Sequence, residues 1–313
     1  MAARDLAAGS IFLIQTIIGL LGNFSLLYLY LFLYCMGHRV RTIDLIVKNL
    51  IVGNILVLFS SGFHYTVTNF AWHHVNRQFE CKFFPYVRIV GRGVSIGTTC
   101  LLSVFQVITI SPRNSRLAEL KVKALRLVVP SITLCWIVNM LINVIYPIYM
   151  TGNLSNTSTT DRKSFGLCSS VRLDPTTESL YAALISFPDV LCFVLMMLAS
   201  GCTVFILYRH KKRVQYILRI KVSSTSSPET RATKTILLLV STFVFFNTLS
   251  FISNIILAVF NSLNLFIMKT SAIMIACFPA VSPFLLIRCD SRIFRLCFGR
   301  IKHAESTKLV RRM

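Results

Sequence analysis

The chain has 313 residues, 55% of them hydrophobic and 14% charged. Soluble domains carry roughly 25% charged residues, so water is excluded as the main solvent for this surface, and the length fits about seven spans of 20–25 residues with short loops and no further soluble domain. The net charge of +22 would suit nucleic acid, but the basic residues stand between long apolar runs, where they mark topology and contact with anionic inner-leaflet lipid.

No Asp, Glu, Lys or Arg occurs from Leu6 to His38, which predicts a first span over 10–34. Arg4 and Asp5 cancel, the apolar run is too long for a signal core, and no small-residue cleavage site follows; the first span reads as an uncleaved anchor. The second span is expected over 43–67 and the third over 81–110. The fourth covers 127–149, closed by Pro147 and the polar Thr151-Gly152-Asn153. The fifth covers 179–208, with Asp189 as its one charge. The sixth and seventh cover 235–260 and 266–287, parted by Asn261-Ser262-Leu263-Asn264. Each is long enough to cross the hydrocarbon. Over 291–301, Ile293, Phe294, Leu296, Cys297 and Phe298 alternate with Arg292, Arg295 and Arg300. That pattern predicts an amphipathic helix on the inner membrane surface, with Cys289 and Cys297 as acylation candidates.

Segments 35–48, 111–126, 209–234 and 288–313 together hold 24 of the 33 Lys and Arg, the segments 1–9, 69–82, 150–178 and 261–269 hold 7, and Arg88 and Arg92 lie within the third span. Short basic loops stay in the cytosol. The expectation is therefore an all-α, seven-helix membrane bundle with its N-terminus outside the cell and its C-terminus inside. Two glycosylation acceptors, Asn153-Leu154-Ser155 and Asn156-Thr157-Ser158, fall in a loop this topology places outside. A third match, Asn23-Phe24-Ser25, lies inside the first span and is expected to go unused. Most of the ten cysteines lie in apolar runs and read as packed thiols. Cys81 and Cys168 fall in segments assigned to the outside, which makes them the disulfide candidates.

Several stretches resemble the vomeronasal type-1 receptor family. The most specific is Gly97-Thr98-Thr99-Cys100-Leu101-Leu102-Ser103-Val104-Phe105-Gln106-Val107-Ile108-Thr109-Ile110-Ser111-Pro112, continuing to Ser115, Ala118, Leu120 and Lys121. Others are Tyr208-Arg209-His210-Lys211-Lys212-Arg213-Val214-Gln215, Arg231-Ala232-Thr233-Lys234-Thr235-Ile236-Leu237 with Val240-Ser241-Thr242-Phe243-Val244, and Phe278-Pro279 with Ser282-Pro283-Phe284. Thr42 with Asp44-Leu45-Ile46, and Arg92-Gly93-Val94-Ser95, fit the same pattern. The chain departs from it at Ile43, which has no proline before it, and at Asn247, where an aromatic residue is frequent. Ile108-Thr109-Ile110 stands where rhodopsin-like receptors end their third helix in an acid-Arg-Tyr triplet, and the seventh span has no Asn-Pro-x-x-Tyr. The resemblance implies a G-protein-coupled receptor for small pheromone-like molecules at the plasma membrane, coupled to an inhibitory-type G-protein. A bitter-taste-like receptor is the weaker alternative, because its seventh-helix ending does not match Ser282–Ile287. A small-solute transporter is weaker still, because no repeated halves are visible.

Arg88 and Arg92 stand i, i+4 on one face of the third span. They read either as a cationic lining for an anionic or carbonyl-bearing ligand, with Asp189 a further candidate ligand contact, or as structural, paired with Asp189 or with Arg88 snorkelling to the outer interface, since ionisable groups at this depth face protein or water. Asp44 and Lys48, also i, i+4, read as an intrahelical pair. Gln106, Asn139, Asn143 and Asn254 suggest interhelical hydrogen bonds, with Gln106 also a candidate for coupling to the inner face. Arg113, Lys211, Lys212, Arg213, Arg231 and Lys234 are the basic candidates for contact with a G-protein. No paired intramembrane carboxylates, His cluster or His-Glu-x-x-His occur in the spans, so neither catalysis nor a metal or other cofactor is expected.

Overall fold

The computed structural model describes residues 2–37, 40–70, 77–111, 117–151, 162–165, 168–171, 174–217, 237–246, 248–249, 265–290 and 292–293. Helix α1 spans Ala2–Cys35, α2 Thr42–Phe70, α3 Arg77–Ile110, α4 Leu117–Asn143 and α5 Ile145–Tyr149. Helix α6 spans Pro175–Ile217, α7 Leu237–Phe246 and α8 Leu265–Cys289. Segments of α1, α2, α3, α4–α5 and α6 are long and apolar enough to cross a membrane, and α7 and α8 contribute shorter apolar helices. The described helices α1, α2, α3, α4 with α5, α6, α7 and α8 fall within or overlap the predicted spans in order; of the sixth, 235–260, only 237–246 and 248–249 are described, and the rest lies outside the described residues. The all-helical expectation misses one feature: strands β1 (Met150–Thr151), β2 (Arg162–Phe165) and β3 (Cys168–Val171) form an antiparallel sheet in the order β1-β3-β2.

Local chemistry sets the helix ends. Gly37, at φ 74°, closes α1 in a left-handed turn that favours glycine. Helix α2 opens with the Arg41 amide donating to Asp44 Oδ2 at 2.9 Å, half of a capping box. The predicted fourth span is two helices, divided at Val144. Pro147 has no amide for the carbonyl four residues back, that of Asn143, and its ring crowds it, so α4 stops there. At the other end α4 begins ten residues before the predicted 127, because Leu117 to Arg126 are good helix formers whatever their charge. Helix α6 likewise runs on to Ile217 rather than ending at Tyr208, so Lys211, Lys212 and Arg213 continue a helix.

The burial pattern departs from that of a water-soluble protein: large apolar side chains cover the outside of the bundle as well as its core. Ile11, Ile14, Ile18, Leu21 and Phe24 of α1 and Phe187, Leu191, Leu198 and Phe205 of α6 are exposed. Asn23, Asn54, Thr98, Thr99 and Ser282 are each 0% exposed. Lipid gains nothing from hiding leucine, so the bundle buries its polar groups and closes on hydrogen bonds and tight packing. Most hydroxyls return to their own helix, as Thr98 does to the Val94 carbonyl at 2.6 Å and Thr203 to that of Ala199 at 2.9 Å.

A continuous polar chain crosses the centre. Ser95 Oγ on α3 donates to Asn54 Oδ1 on α2, and Asn54 Nδ2 donates to Ser282 Oγ on α8, both at 2.9 Å. Ser282 lies 3.4 Å from the Pro279 carbonyl, which also accepts from Asn23 Nδ2 of α1 at 2.9 Å. That carbonyl is free because residue 283, whose amide would normally serve it, is proline. The unused sequon residue Asn23 is thus a packing residue. The expectation for Asn139 and Asn143 is corrected: their amides donate within α4, to the Cys135 and Asn139 carbonyls. Interhelical bonds come instead from Asn23, Asn54 and Asn49, whose Oδ1 accepts from Trp136 Nε1 at 3.0 Å. Asn254 lies outside the described residues.

Helix α3 is the axis, packed against α2, α4, α5 and α6. Helices α2 and α3 approach backbone to backbone at Gly53 and Gly91, where an added Cβ on Gly91 would stand 2.9 Å from the Gly53 carbonyl oxygen. Phe243 of α7 meets Phe278 of α8 edge-on, with ring centroids 4.6 Å apart, in the main apolar core.

Candidate ligand site and inner-face clamp

Two polar regions lie at opposite ends of this bundle. The first lies between α3, α5 and α6. One turn of α3 separates Arg88 from Arg92, so both project to one side. Arg88 lies within electrostatic reach of Tyr146 on α5, and Arg92 within that of Asp189 on α6. Tyr181, two helical turns before Asp189, interacts with Tyr146. Among the described residues neither arginine forms an ion pair or a hydrogen bond, and Asp189 forms none either. Arg92 Nε, Tyr181 Oη and Asn143 Oδ1 are fully buried and have no protein partner. The direct ion pair between Arg92 and Asp189 that the structural reading called for is not formed.

The tertiary fold explains the assembly of this cluster. Pro147 ends α4 and redirects α5, which sets Tyr146 beside α3. Pro188 frees the Leu184 carbonyl one turn before Asp189 and loosens α6 there. The Tyr86 hydroxyl donates to the Met140 carbonyl at 3.2 Å and holds α3 to α4 beside the cluster. The sequence reading found Arg88, Arg92 and Asp189 but missed Tyr146 and Tyr181. Tyrosine near a membrane interface is too common to stand out.

Strand β1 packs against α3, and β3 pairs with it, so the sheet lies beside the same end of the bundle as the cluster. Cys81, 1% exposed near the start of α3, is disulfide-bonded. Cys35, Cys100, Cys135, Cys192, Cys202 and Cys277 are free. Cys168 opens β3; its side chain, and Asn153 and Asn156, lie outside the described residues.

The second region is a charged clamp. Arg292, just past α8, places Nη2 2.7 Å from Asp44 Oδ1 at the start of α2 and 2.8 Å from Asp290 Oδ2. Its Nε donates to Asp290 Oδ1 at 3.2 Å. The hydrogen bonds that Arg292 donates, to Asp290 first and then to Asp44, hold the guanidinium proton more tightly than usual, against a partial burial that acts the other way. The expected Asp44–Lys48 pair is corrected: Asp44 faces Arg292, and Lys48 Nζ instead sits 5.5 Å from the Tyr34 ring centroid.

Of the coupling candidates, Gln106 is buried and 5% exposed. Lys212 is exposed on the extension of α6, with Nζ 5.1 Å from the Tyr208 ring centroid. Lys211 and Arg213 share that helix, and their side chains lie outside what is described, as do Arg113, Arg231 and Lys234 altogether. Of the predicted amphipathic helix, only Arg292 and Ile293 are described; both are helical.

Residues 6–299 match the sequence profile of the vomeronasal organ pheromone receptor family. The chain is 50% identical to human vomeronasal type-1 receptor 4, over 96% of this chain and 99% of that one. It is 50% identical to human vomeronasal type-1 receptor 2, over 91% of this chain and 72% of that one. It is 43% identical to human vomeronasal type-1 receptor 3, over 99% and 100% of the two chains.

Proposed function

Because this chain belongs to the vomeronasal type-1 receptor family, we propose that it is a G-protein-coupled chemosensory receptor of the plasma membrane that detects small pheromone-like molecules. The observation that supports the ligand site is that Arg92 Nε and the Tyr181 hydroxyl are buried without protein partners. Unpaired polar groups at membrane depth are costly, and a ligand's polar group would offset that cost. In this reading the N-terminus is outside and the basic segments face the cytosol, as the distribution of Lys and Arg supports. Cys81 then lies on the oxidising side, with Cys168 as its partner and Asn153 and Asn156 as glycan sites.

A ligand shifts the receptor only through its different affinity for two packings of the bundle. Helices α3 and α6 both carry site residues at one end. At the other, α3 carries Gln106 and α6 carries Lys211, Lys212 and Arg213. A change in how these two helices pack would move the surface offered to an inhibitory-type G-protein, with Arg113, Arg231 and Lys234 beside it. The test is G-protein activation by fractionated body secretions in cells, with surface expression followed by tags at Met1 and Met313. The reading requires activation that depends on the receptor and an outer tag only at Met1. Two tags on one side of the membrane would overturn it, as would solute uptake without G-protein activation.

A further inference from the structure

At the clamp end of the bundle, the last turns of α1 and the first turns of α2 leave a narrow cleft. Leu33 and Tyr34 of α1, Val40 of the link, Asp44 and Lys48 of α2, and Arg292 line it. Its carboxylate is engaged: Asp44 Oδ1 accepts from Arg292 Nη2, and Oδ2 from the Arg41 amide. Asp290, the other acid of the clamp, accepts from Arg292 through both oxygens. Lys48 has no such partner. Among the described residues its ammonium forms neither an ion pair nor a hydrogen bond, only the contact with the Tyr34 ring at 5.5 Å. The hydroxyl of Tyr34, a residue 61% exposed, is also without a hydrogen bond among the described residues. Lys48 stands six residues inside the apolar segment that begins at Thr42, about 9 Å along the axis. A lysine at that depth lays its stem on apolar surface and lifts its charge toward the level of the lipid phosphates.

Charge and shape then select the occupant. Lys48 and Arg292 balance Asp44 and Asp290, and Arg41, exposed and adjoining Val40, leaves one positive charge in excess. Tyr28, Leu31 and Tyr34, three residues apart, form an exposed stripe on α1 that leads away from the cleft into the membrane. We infer that the cleft is a site for one phospholipid of single net negative charge in the inner leaflet. Its phosphate sits at the mouth, held by Lys48 Nζ and the Tyr34 hydroxyl, and an acyl chain follows the α1 stripe. One negative charge cancels the excess. A zwitterionic choline lipid brings a further cation to a site whose exposed ring, that of Tyr34, Lys48 already covers. The inference rests on the receptor reading only for the assignment of this end to the inner leaflet.

The experiment titrates the purified receptor in detergent micelles with phosphatidylglycerol and phosphatidylcholine of the same acyl chains. Glycerol 3-phosphate and inorganic phosphate are added as soluble competitors. Bound lipid is counted by native mass spectrometry, and affinity is read from thermal stabilisation. The first phosphatidylglycerol should bind about fivefold more tightly than phosphatidylcholine, the contribution of one basic residue near a membrane surface. The soluble phosphates should not displace it at equal concentration. Lys48→Ala should remove the preference, Lys48→Arg should keep it, and Tyr34→Phe, which retains the ring, should reduce it in part. Lys212→Ala should leave it unchanged, although Lys212 makes a similar contact with the Tyr208 ring at 5.1 Å, on the exposed extension of α6. Lys48→Arg and Tyr34→Phe keep the test open if Lys48→Ala fails to fold. Equal affinity for the two lipids would overturn the inference. So would equal losses in the Lys48→Ala and Lys212→Ala proteins, which would mean diffuse attraction to the whole basic face, or displacement by glycerol 3-phosphate, which would mean a soluble ligand. These readouts use no agonist and no G-protein, so their failure leaves the receptor reading standing. A lipid preference intact in a protein that never activates a G-protein would remove that reading alone.

Discussion

The Pro279 carbonyl gives a quantitative test of how this bundle closes. Pro283 removes the amide that would serve it, and Asn23 Nδ2 takes that place from α1 at 2.9 Å. Ser282 Oγ, at 3.4 Å, is too long to substitute well. The second bond of Asn23, to the Gly19 carbonyl at 2.8 Å, adds little, because the helix already serves that acceptor. Asn23→Ala should therefore cost one interhelical hydrogen bond, about 0.6–1.7 kcal/mol in membrane proteins. Loss of Asn23 Oδ1, which is buried without a partner, returns part of that. We expect a net loss of about 1 kcal/mol, roughly fivefold in the folded-to-unfolded ratio. Pro283→Ala restores an amide at 283 and gives the carbonyl an intrahelical donor. In that background Asn23→Ala should cost only a few tenths of a kcal/mol, a coupling of about 0.7 kcal/mol, beyond the 0.3–0.5 kcal/mol scatter of independent sites. Equilibrium unfolding of the four proteins in mixed micelles would measure it, followed by the reactivity of the buried thiol of Cys100. Additive effects would refute the claim that the proline creates the need for the asparagine.

Other consequences are simpler to check. Gly91→Ala should destabilise by about 1–3 kcal/mol, seen as lost surface expression, because its Cβ meets Gly53 backbone at 2.9 Å. Gly201→Ala on α6 meets nothing within 4 Å and should be neutral or stabilise by up to about 1 kcal/mol. Asp44→Asn should cost about 1 kcal/mol, and a double-mutant cycle should couple it to Arg292→Ala but not to Lys48→Ala. Coupling to Lys48 instead would mean that the clamp is misassigned. Cys81→Ser should lower the unfolding midpoint, and its non-reducing gel mobility should match that of Cys168→Ser if those two cysteines are joined.

How much of this the sequence shows follows from the range of each interaction. The positions of the spans are legible because an apolar run of twenty residues in lipid has few alternatives to a helix. The break at Val144 is legible after the fact, since Pro147 and Asn143 are four residues apart. The start of α4 and the end of α6 were misplaced for a common reason: hydropathy finds the membrane boundary, whereas a helix ends where its hydrogen bonds do. The Asp44–Lys48 expectation failed because the i, i+4 rule sees only one helix, while the true partner, Arg292, is 248 residues away. The cationic half of the candidate site was visible as two arginines in an apolar helix, but its tyrosines were not.

The sequence by itself determined that lipid is the solvent, that successive apolar helices cross it, and which family the chain resembles, because these depend on composition, local periodicity and contiguous motifs. Tertiary structure alone decided which polar groups meet: Asn23 with Pro279, Asp44 with Arg292, and Arg92 near Asp189 without bonding to it. Each of those depends on how helices far apart in the chain rotate and approach, and in lipid it is their packing and polar pairing, rather than burial of apolar surface, that fixes the arrangement.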